Sequence, residues 1–362
     1  MTTTSPRQSP GPVTVPARMR AVVMHEFGPP DVLRNEVVET PRPGPGEALV
    51  GIGAVTVNRS FDLRVREDGN NRDPVLPLVL GADPAGQVVA VGPDVSEVRV
   101  GDHVAVWRAA ACRACAACRR GDPDDCQRKR MVGIHRWGGY AQYAALPVET
   151  LQVIPKELGY AEAAVVLRHF PTALALAHAR AGLQAGETVL VMGAAGGLGS
   201  ALVQVARAAG ARVIVGAGSD ERVAAALALG GETGINYRAQ DLAAECRRLT
   251  GGHGVDVVFE NIADPTLWPG AYDSLAYAGR LATVGAHGGG QVTLDVRRLY
   301  GQHLSVLGGA SPRRAEVQRA LQGARTGEFR ALIGATLPLE QAAEAHRLVA
   351  NSKVVGKVVL TP

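Results

Sequence analysis

The stretch Thr188-Val189-Leu190-Val191-Met192-Gly193-Ala194-Ala195-Gly196-Gly197-Leu198-Gly199 decides how this chain is read. Five residues that are apolar or β-branched form a run suited to a buried parallel strand, and a glycine loop follows at once. Beyond it, residues 200–209 carry helical periodicity. Counted from Ala194 the loop is a G-x-G-x-x-G fingerprint with alanine in first place. Gly196 lets the backbone approach a pyrophosphate, and Gly199 lets the helix pack closely on the strand. The unpaired N–H groups of the helix N-terminus then face the phosphates. A strand before and a helix after the glycines make this a dinucleotide site, with Ala195, Gly196, Gly197 and Leu198 as its contacts.

Outward from the loop toward the C-terminus, strands and helices alternate. Strands are expected at 212–216, 255–260 and 280–284, and helices at 220–229 and 241–249, which makes βαβ units and a doubly wound parallel sheet. The end of the second strand, where a carboxylate would hold a ribose 2′-hydroxyl, reads Gly216-Ala217-Gly218-Ser219. No carboxylate stands there. Arg222 follows one helical turn later and can pair with a 2′-phosphate, while Ser219 and the Gly218 backbone add donors, so NADPH is the expected cofactor. The alternative is that Asp220 or Glu221 turns inward to hold NADH and Arg222 is a surface residue.

Toward the N-terminus the texture is different. Residues 1–18 are rich in Thr, Ser, Pro and Gly and are expected to be a disordered tail. Short β-rich runs at 21–24, 47–52, 86–91 and 103–107, broken by turn residues, indicate an all-β barrel-like unit. From this unit projects Cys112, Cys115, Cys118 and Cys126, four of the five cysteines in the chain. Thiolates two residues apart converge on one ion, and four supply the closed tetrahedral shell of a structural zinc. Helices are expected again at 314–323 and 339–351, with a closing strand at 357–360.

Composition narrows the functions available. The 362 residues suffice for two domains, and no apolar run is long enough to span a membrane or serve as a secretory signal, which points to a soluble cytoplasmic protein. Net charge is +4 and aromatic residues make up 4% of the chain, so neither a basic stripe nor a stacking platform for nucleic acid is evident.

Taken with Gly101-Asp102-His103-Val104, Gly139-Tyr140-Ala141-Gln142-Tyr143, Ile235-Asn236-Tyr237-Arg238 and the closing Gly356-Lys357-Val358-Val359-Leu360, these motifs resemble the medium-chain dehydrogenase/reductase superfamily. The resemblance runs from Met19 to the C-terminus. It implies an α/β protein in which a Rossmann domain over 161–308 is inserted into a GroES-like β-barrel catalytic domain over 19–160 and 309–362, with the cysteine lobe as a structural zinc site. It places Thr172 near the nicotinamide and Tyr237 near the adenosine phosphate, and adds Asn261, Gly285 and Ala286 as cofactor contacts. A homodimer through the sheet edge at 284–308 is also implied.

Zinc-dependent alcohol dehydrogenases of this superfamily bind a second, catalytic zinc. At its ligand places this chain has Asn58, Ala82 and Arg168, with Asp83 and His169 beside them. Such a set does not make the usual three-ligand site. Asn58, Arg168 and His169 are therefore the residues expected to bear on catalysis, with Arg168 and His169 as two cationic donors. Asp62 falls one place away from the spacing often seen in relatives, which leaves its role open. The implied function is NADPH-dependent reduction of an enone, quinone or other activated double bond of a small molecule. Two alternatives stand beside it: a metal-independent carbonyl reductase or alcohol dehydrogenase, and a nucleotide-binding interaction protein without turnover.

Overall fold

The structure, a computed structural model, describes residues 14–309 and 311–362. The expected tail over 1–18 lies outside the described residues as far as position 13, and Arg18 already belongs to a strand. Sixteen strands are found among the described residues. The first eight are β1 (Arg18–Met24), β2 (Arg34–Glu39), β3 (Glu47–Val57), β4 (Leu78–Val79), β5 (Pro84–Val91), β6 (His103–Val106), β7 (Tyr143–Pro147) and β8 (Leu151–Val153). The next six are β9 (Thr188–Met192), β10 (Arg212–Ala217), β11 (Thr233–Asn236), β12 (Val255–Glu260), β13 (Leu275–Thr283) and β14 (Ser305–Gly308). The chain closes with β15 (Ile333–Pro338) and β16 (Lys357–Thr361).

β9 to β14 pair in parallel in the order β11-β10-β9-β12-β13-β14. The strand order reverses between β9 and β12, and an open α/β sheet binds its ligand outside the strand ends at such a point. Both faces of β9 are covered, with Val189 and Val191 in one apolar core and Leu190 and Met192 in another. The continuous apolar run at 188–192 reflects that double burial.

The other large sheet has the order β15-β16-β3-β5-β6-β8, with β7 also paired to β3. Its last-formed strands come from the C-terminus: Val358 lies opposite Val57 and Leu360 opposite Val55. Val55 in turn lies opposite Pro84. The residues just past these registers, Asn58, Asp83 and Lys357, are thereby brought to one corner. A small antiparallel sheet, β2-β1-β4, packs against this unit and shares its core of Met19, Val22, Leu63 and Leu80.

One helix, Tyr160–Leu174, touches both halves. Ala163, Ala164 and Leu167 pack with Ala85 and Ala105 of the barrel sheet, while Val166, Phe170 and Ala173 join the core around β9. The structure has a single helix through Pro171, continued by a π-helical stretch Ala175–Arg180, so Arg168 and His169 stand on a regular backbone. No described helix is long and apolar enough to cross a membrane.

The close approach of the helix Gly197–Ala208 to the loop after β9 depends on Gly199, where an added Cβ would sit 2.1 Å from the Gly193 carbonyl oxygen. Backbone cannot step aside at little cost. Gly199→Ala is expected to destabilise the fold by about 1–3 kcal/mol in urea unfolding. Gly301→Ala, in a helix with open space around it, is expected to be neutral or slightly stabilising.

Candidate functional site

The glycine loop forms the floor of the crevice. Gly193 takes φ +60°, its carbonyl accepts from Gly196 N at 2.9 Å, and Gly196 caps the helix that begins at Gly197. Asn261, at the end of β12, donates Nδ2 to the Met192 carbonyl at 2.7 Å, and a Cβ on Gly285 would lie 2.3 Å from the Asn261 carbonyl oxygen. Ala195, Gly196, Gly197, Asn261 and Gly285 are thus gathered at the ends of β9, β12 and β13. Ala286 follows on the exposed rim, and Leu198 packs partly against the core. Thr172 is half-buried one helical turn beyond Arg168 and His169. The C-terminal segment closes on this loop, with Gly356 N donating to the Ala195 carbonyl at 3.0 Å.

At the end of β10 the groups around Gly218 are cationic or aromatic. A Cβ there would lie 3.2 Å from Arg238 Nε and 3.4 Å from Tyr237 Oη. Ser219 caps the helix Asp220–Ala228, its hydroxyl accepting from Arg222 N. Asp220 accepts from Asn236 Nδ2 at 2.8 Å. Arg222 directs its guanidinium to the carbonyls of Ser352 and Val354, which leaves other N–H groups for a ligand. Arg238 is a second cation at this end that sequence reading passed over, although it stands beside Tyr237 in the quoted motif.

Across the crevice lies a polar centre. Asn58 donates Nδ2 toward both Asp83 oxygens at 3.2 Å, toward Thr56 Oγ1 at 3.1 Å and toward Asp62 Oδ2 at 3.1 Å. Its Oδ1 accepts from Lys357 Nζ at 2.8 Å, and the same ammonium donates to the Val57 carbonyl at 2.7 Å. Asp62 also accepts from the backbone N–H of Asn58 at 2.8 Å and of Gly81 at 3.0 Å. Thr56 donates to Asp83 at 2.7 Å. Asp62 is thus a full member of the centre whatever its spacing in sequence, and its carboxylate organises two backbone turns. Arg168 approaches Asp83 at 3.8 Å and lays its guanidinium 4.1 Å from the Phe61 ring centroid.

Burial sets the charges here. Asp62 is raised to about 6 by desolvation, with Asp83 adding repulsion, and Lys357 is lowered to about 8 by desolvation against the pull of Asp83. His169 is driven well below its ordinary value by burial first and then by Lys357 and Arg168. Of the two residues expected as cationic donors, Arg168 keeps a carboxylate near it while burial favours the neutral imidazole at His169, and Lys357 is a further cation that sequence reading did not single out. His169 Nε2 is enclosed without a partner, and both it and Lys357 Cδ crowd the space above Gly197. Both residues therefore stand between the cofactor loop and the polar centre.

This centre does not suit a metal. Asn58 turns its N–H groups to carboxylates, Ala82 offers no ligand atom, and Arg168 is a cation. The cysteine lobe does suit one. Its four sulfurs lie within 4.8 Å of one another, and the Cys115–Cys118 and Cys115–Cys126 separations are 3.5 and 3.8 Å. Tetrahedral zinc with Zn–S bonds of ~2.3 Å sets its sulfurs about 3.8 Å apart. The amides of Cys112 and Cys115 point at the sulfurs of Cys126 and Cys112, each at 3.3 Å, which favours thiolates.

A dinucleotide crevice facing a buried polar centre, with a zinc-type cysteine lobe set apart from both, defines a two-domain nicotinamide-dependent oxidoreductase. Residues 44–156 match the model of the alcohol dehydrogenase GroES-like domain, and residues 197–325 that of zinc-binding dehydrogenase. The chain is 32% identical over 351 residues to quinone oxidoreductase of Sus scrofa, covering 94% of this chain and 97% of that one. It is 30% identical to an NAD-dependent alcohol dehydrogenase of Sulfolobus acidocaldarius, covering 94% and 99%. A solved structure of an NAD-dependent alcohol dehydrogenase superposes with a TM-score of 0.88 at 37% identity, covering 95% of this chain and all of that one. The chain belongs to the medium-chain dehydrogenase/reductase superfamily, in the branch that holds zinc-type alcohol dehydrogenases and quinone oxidoreductases.

Lys357→Met tests the charge balance. Without the ammonium the folded-state pKa of Asp62, already raised by burial, rises further, and a raised carboxyl pKa means stability that is lost as pH climbs through it. The variant is expected to lose about 3–5 kcal/mol at pH 8 and clearly less at pH 5.5, read from urea unfolding at the two pH values.

Proposed function

We propose that the protein reduces an activated carbon–carbon double bond, in an enone or a quinone, with NADPH and with no metal at the reacting centre. The observation that supports this most is that, of the places where zinc relatives carry ligands, Asn58 is hydrogen-bonded to Asp83 and Lys357, and Arg168 stands as a cation 3.8 Å from Asp83. When bound, the nicotinamide supplies a hydride to the substrate carbon. The residues of the chain handle what that leaves behind. Negative charge collects on the carbonyl oxygen, and Arg168, which lines a small cavity with Asp83, Trp107 and Met131, is the donor that meets it. Asp83 holds Arg168 from behind, and Thr56 and Asn58 hold Asp83, so the guanidinium is oriented before substrate arrives. A proton from solvent completes the two-electron reduction. Asn58 and His169 serve here as positioning residues: Asn58 is fully occupied within the centre, and neutral His169 shapes the approach to Gly197.

NADPH is favoured because Arg238 lies beside Gly218, the charges of Arg222 and Arg238 both bear on Tyr237, and Asp220 is tied to Asn236. The zinc lobe is assigned one structural zinc. A homodimer is assigned to the β14 edge, where Tyr277, Tyr300 and Val296 are exposed.

Oxidation of NADPH should be seen with enones and quinones and should fall at least a hundredfold in kcat/KM for Arg168→Met; tight binding of NADPH without turnover of any such substrate would refute the reductase. Arg238→Glu should weaken NADPH at least tenfold more than NADH. Cys126→Ser is expected to lower both zinc content and Tm while leaving kcat/KM of the folded fraction within about threefold of the parent. Sedimentation should show two chains, reverting to one when Val306 in β14 is replaced by proline.

A further inference from the structure

The ion pair that Arg168 makes among the described residues is a long one. Its Nε lies 3.8 Å from Asp83 Oδ2, beyond the reach of a direct N–H···O hydrogen bond. A polar pair held at that separation is spaced for a small molecule between its members. The plane of the guanidinium is set by Phe61, whose ring centroid lies 4.1 Å away. Stacking on a ring face leaves rotation within that plane free.

Asp83 and Arg168 both line a cavity of about 30 Å³, close to the share of one water molecule in the liquid. Trp107 lines it too. The indole is buried, and its Nε1 has no hydrogen-bond partner among the described residues. The ring belongs to an apolar cluster with Ala85, Ala105 and Leu167, whose side chains offer no acceptor, and the Arg108 guanidinium lies 4.7 Å from its centroid. A buried N–H left unpaired is costly, and the usual remedy where protein supplies no acceptor is an ordered water.

We infer that this cavity is a site for one water molecule that accepts from Trp107 Nε1 and Arg168 and donates to Asp83, and that Trp107 acts through it as a positioning residue for Arg168. The role at Arg168 rests on the reductase reading; the water site does not. The walls select water by their chemistry. Asp83 repels an anion, Arg168 repels a cation, and two N–H donors beside one carboxylate call for a molecule that both accepts and donates. Asp83 has capacity left: Oδ1 accepts from Asn58 at 3.2 Å, Oδ2 from Thr56 at 2.7 Å and Asn58 at 3.2 Å, and a carboxylate offers about four lone-pair sites. Three polar partners are the usual number for a buried water. Ala82, Val106 and Val132 close the walls without a further polar side chain. The guanidinium is then fixed twice, its plane by Phe61 and its rotation in that plane by the water, before a carbonyl oxygen reaches it.

The test compares high-resolution crystal structures of the full chain and of Trp107→3-benzothienylalanine, in which sulfur replaces the indole N–H and the ring keeps its shape. The parent should show one water within about 3.2 Å of Trp107 Nε1, Arg168 and Asp83, and the variant should lose it. No water there in the parent would overturn the site. Nitrogen-15 NMR of Arg168 Nε and kinetics with an enone then read the positioning role. In the variant the Arg168 signal should broaden and kcat/KM should fall at least tenfold, with KM for NADPH within about threefold of the parent. Loss of the water with the Arg168 signal unchanged would overturn that role, whatever the rate does. Water in the parent and a broadened Arg168 signal in the variant, from a protein that reduces no enone or quinone, uphold the site and remove the reductase.

Discussion

A buried ammonium joins the two ends of this chain. Lys357, the first residue of β16, donates to the carbonyl of Val57 and the side chain of Asn58 at the end of β3. That contact exists because β16 pairs antiparallel to β3 in the barrel sheet, with Val358 opposite Val57. It also sits directly above Gly197, so the same residue borders the cofactor loop. A desolvated charge is tolerated in a protein interior only where it is paired and hydrogen-bonded. The Val57 carbonyl and Asn58 accept its hydrogen bonds while the charges of Asp83 and Asp62 favour it, and the polar centre, the strand register and the cofactor crevice depend on one another through it.

On the proposed function, the centre keeps the place of a reaction site while its source of positive charge changes. A metal at this place would polarise an oxygen as a Lewis acid. In the function proposed above the oxygen is offered a guanidinium instead, weaker in polarising power and held near Asp83. Such a donor suits a substrate whose negative charge is spread through conjugation, as in an enolate. The cysteine lobe, by contrast, brings four sulfurs together at a spacing that suits zinc, and a metal there would hold a loop that has little apolar core of its own.

Much of this was legible in the sequence, and the reason is local. The glycine loop, the strand at 255–260 and the four cysteines each carry their meaning within a dozen residues, because turn geometry and ligand spacing are short-range constraints. Asn58 and Arg168 could be singled out only through family resemblance. What sequence reading missed is long-range. Lys357 was quoted as part of a closing motif, but its link to Asn58 spans 299 residues and exists only through sheet pairing. Asp62 was set aside on spacing, yet the π-helical turn Arg59–Leu63 brings its carboxylate back onto Asn58. Short strands such as β4, β8 and β11 escaped because two to four residues carry too little alternation to be read.

The central claim is that protein cations, not a metal, stand at the reacting centre. Anomalous diffraction at the zinc edge, from crystals grown with zinc present, tests it most directly. The account predicts one anomalous peak per chain, among the sulfurs of Cys112, Cys115, Cys118 and Cys126. A second peak between Asp83 and His169 would contradict it.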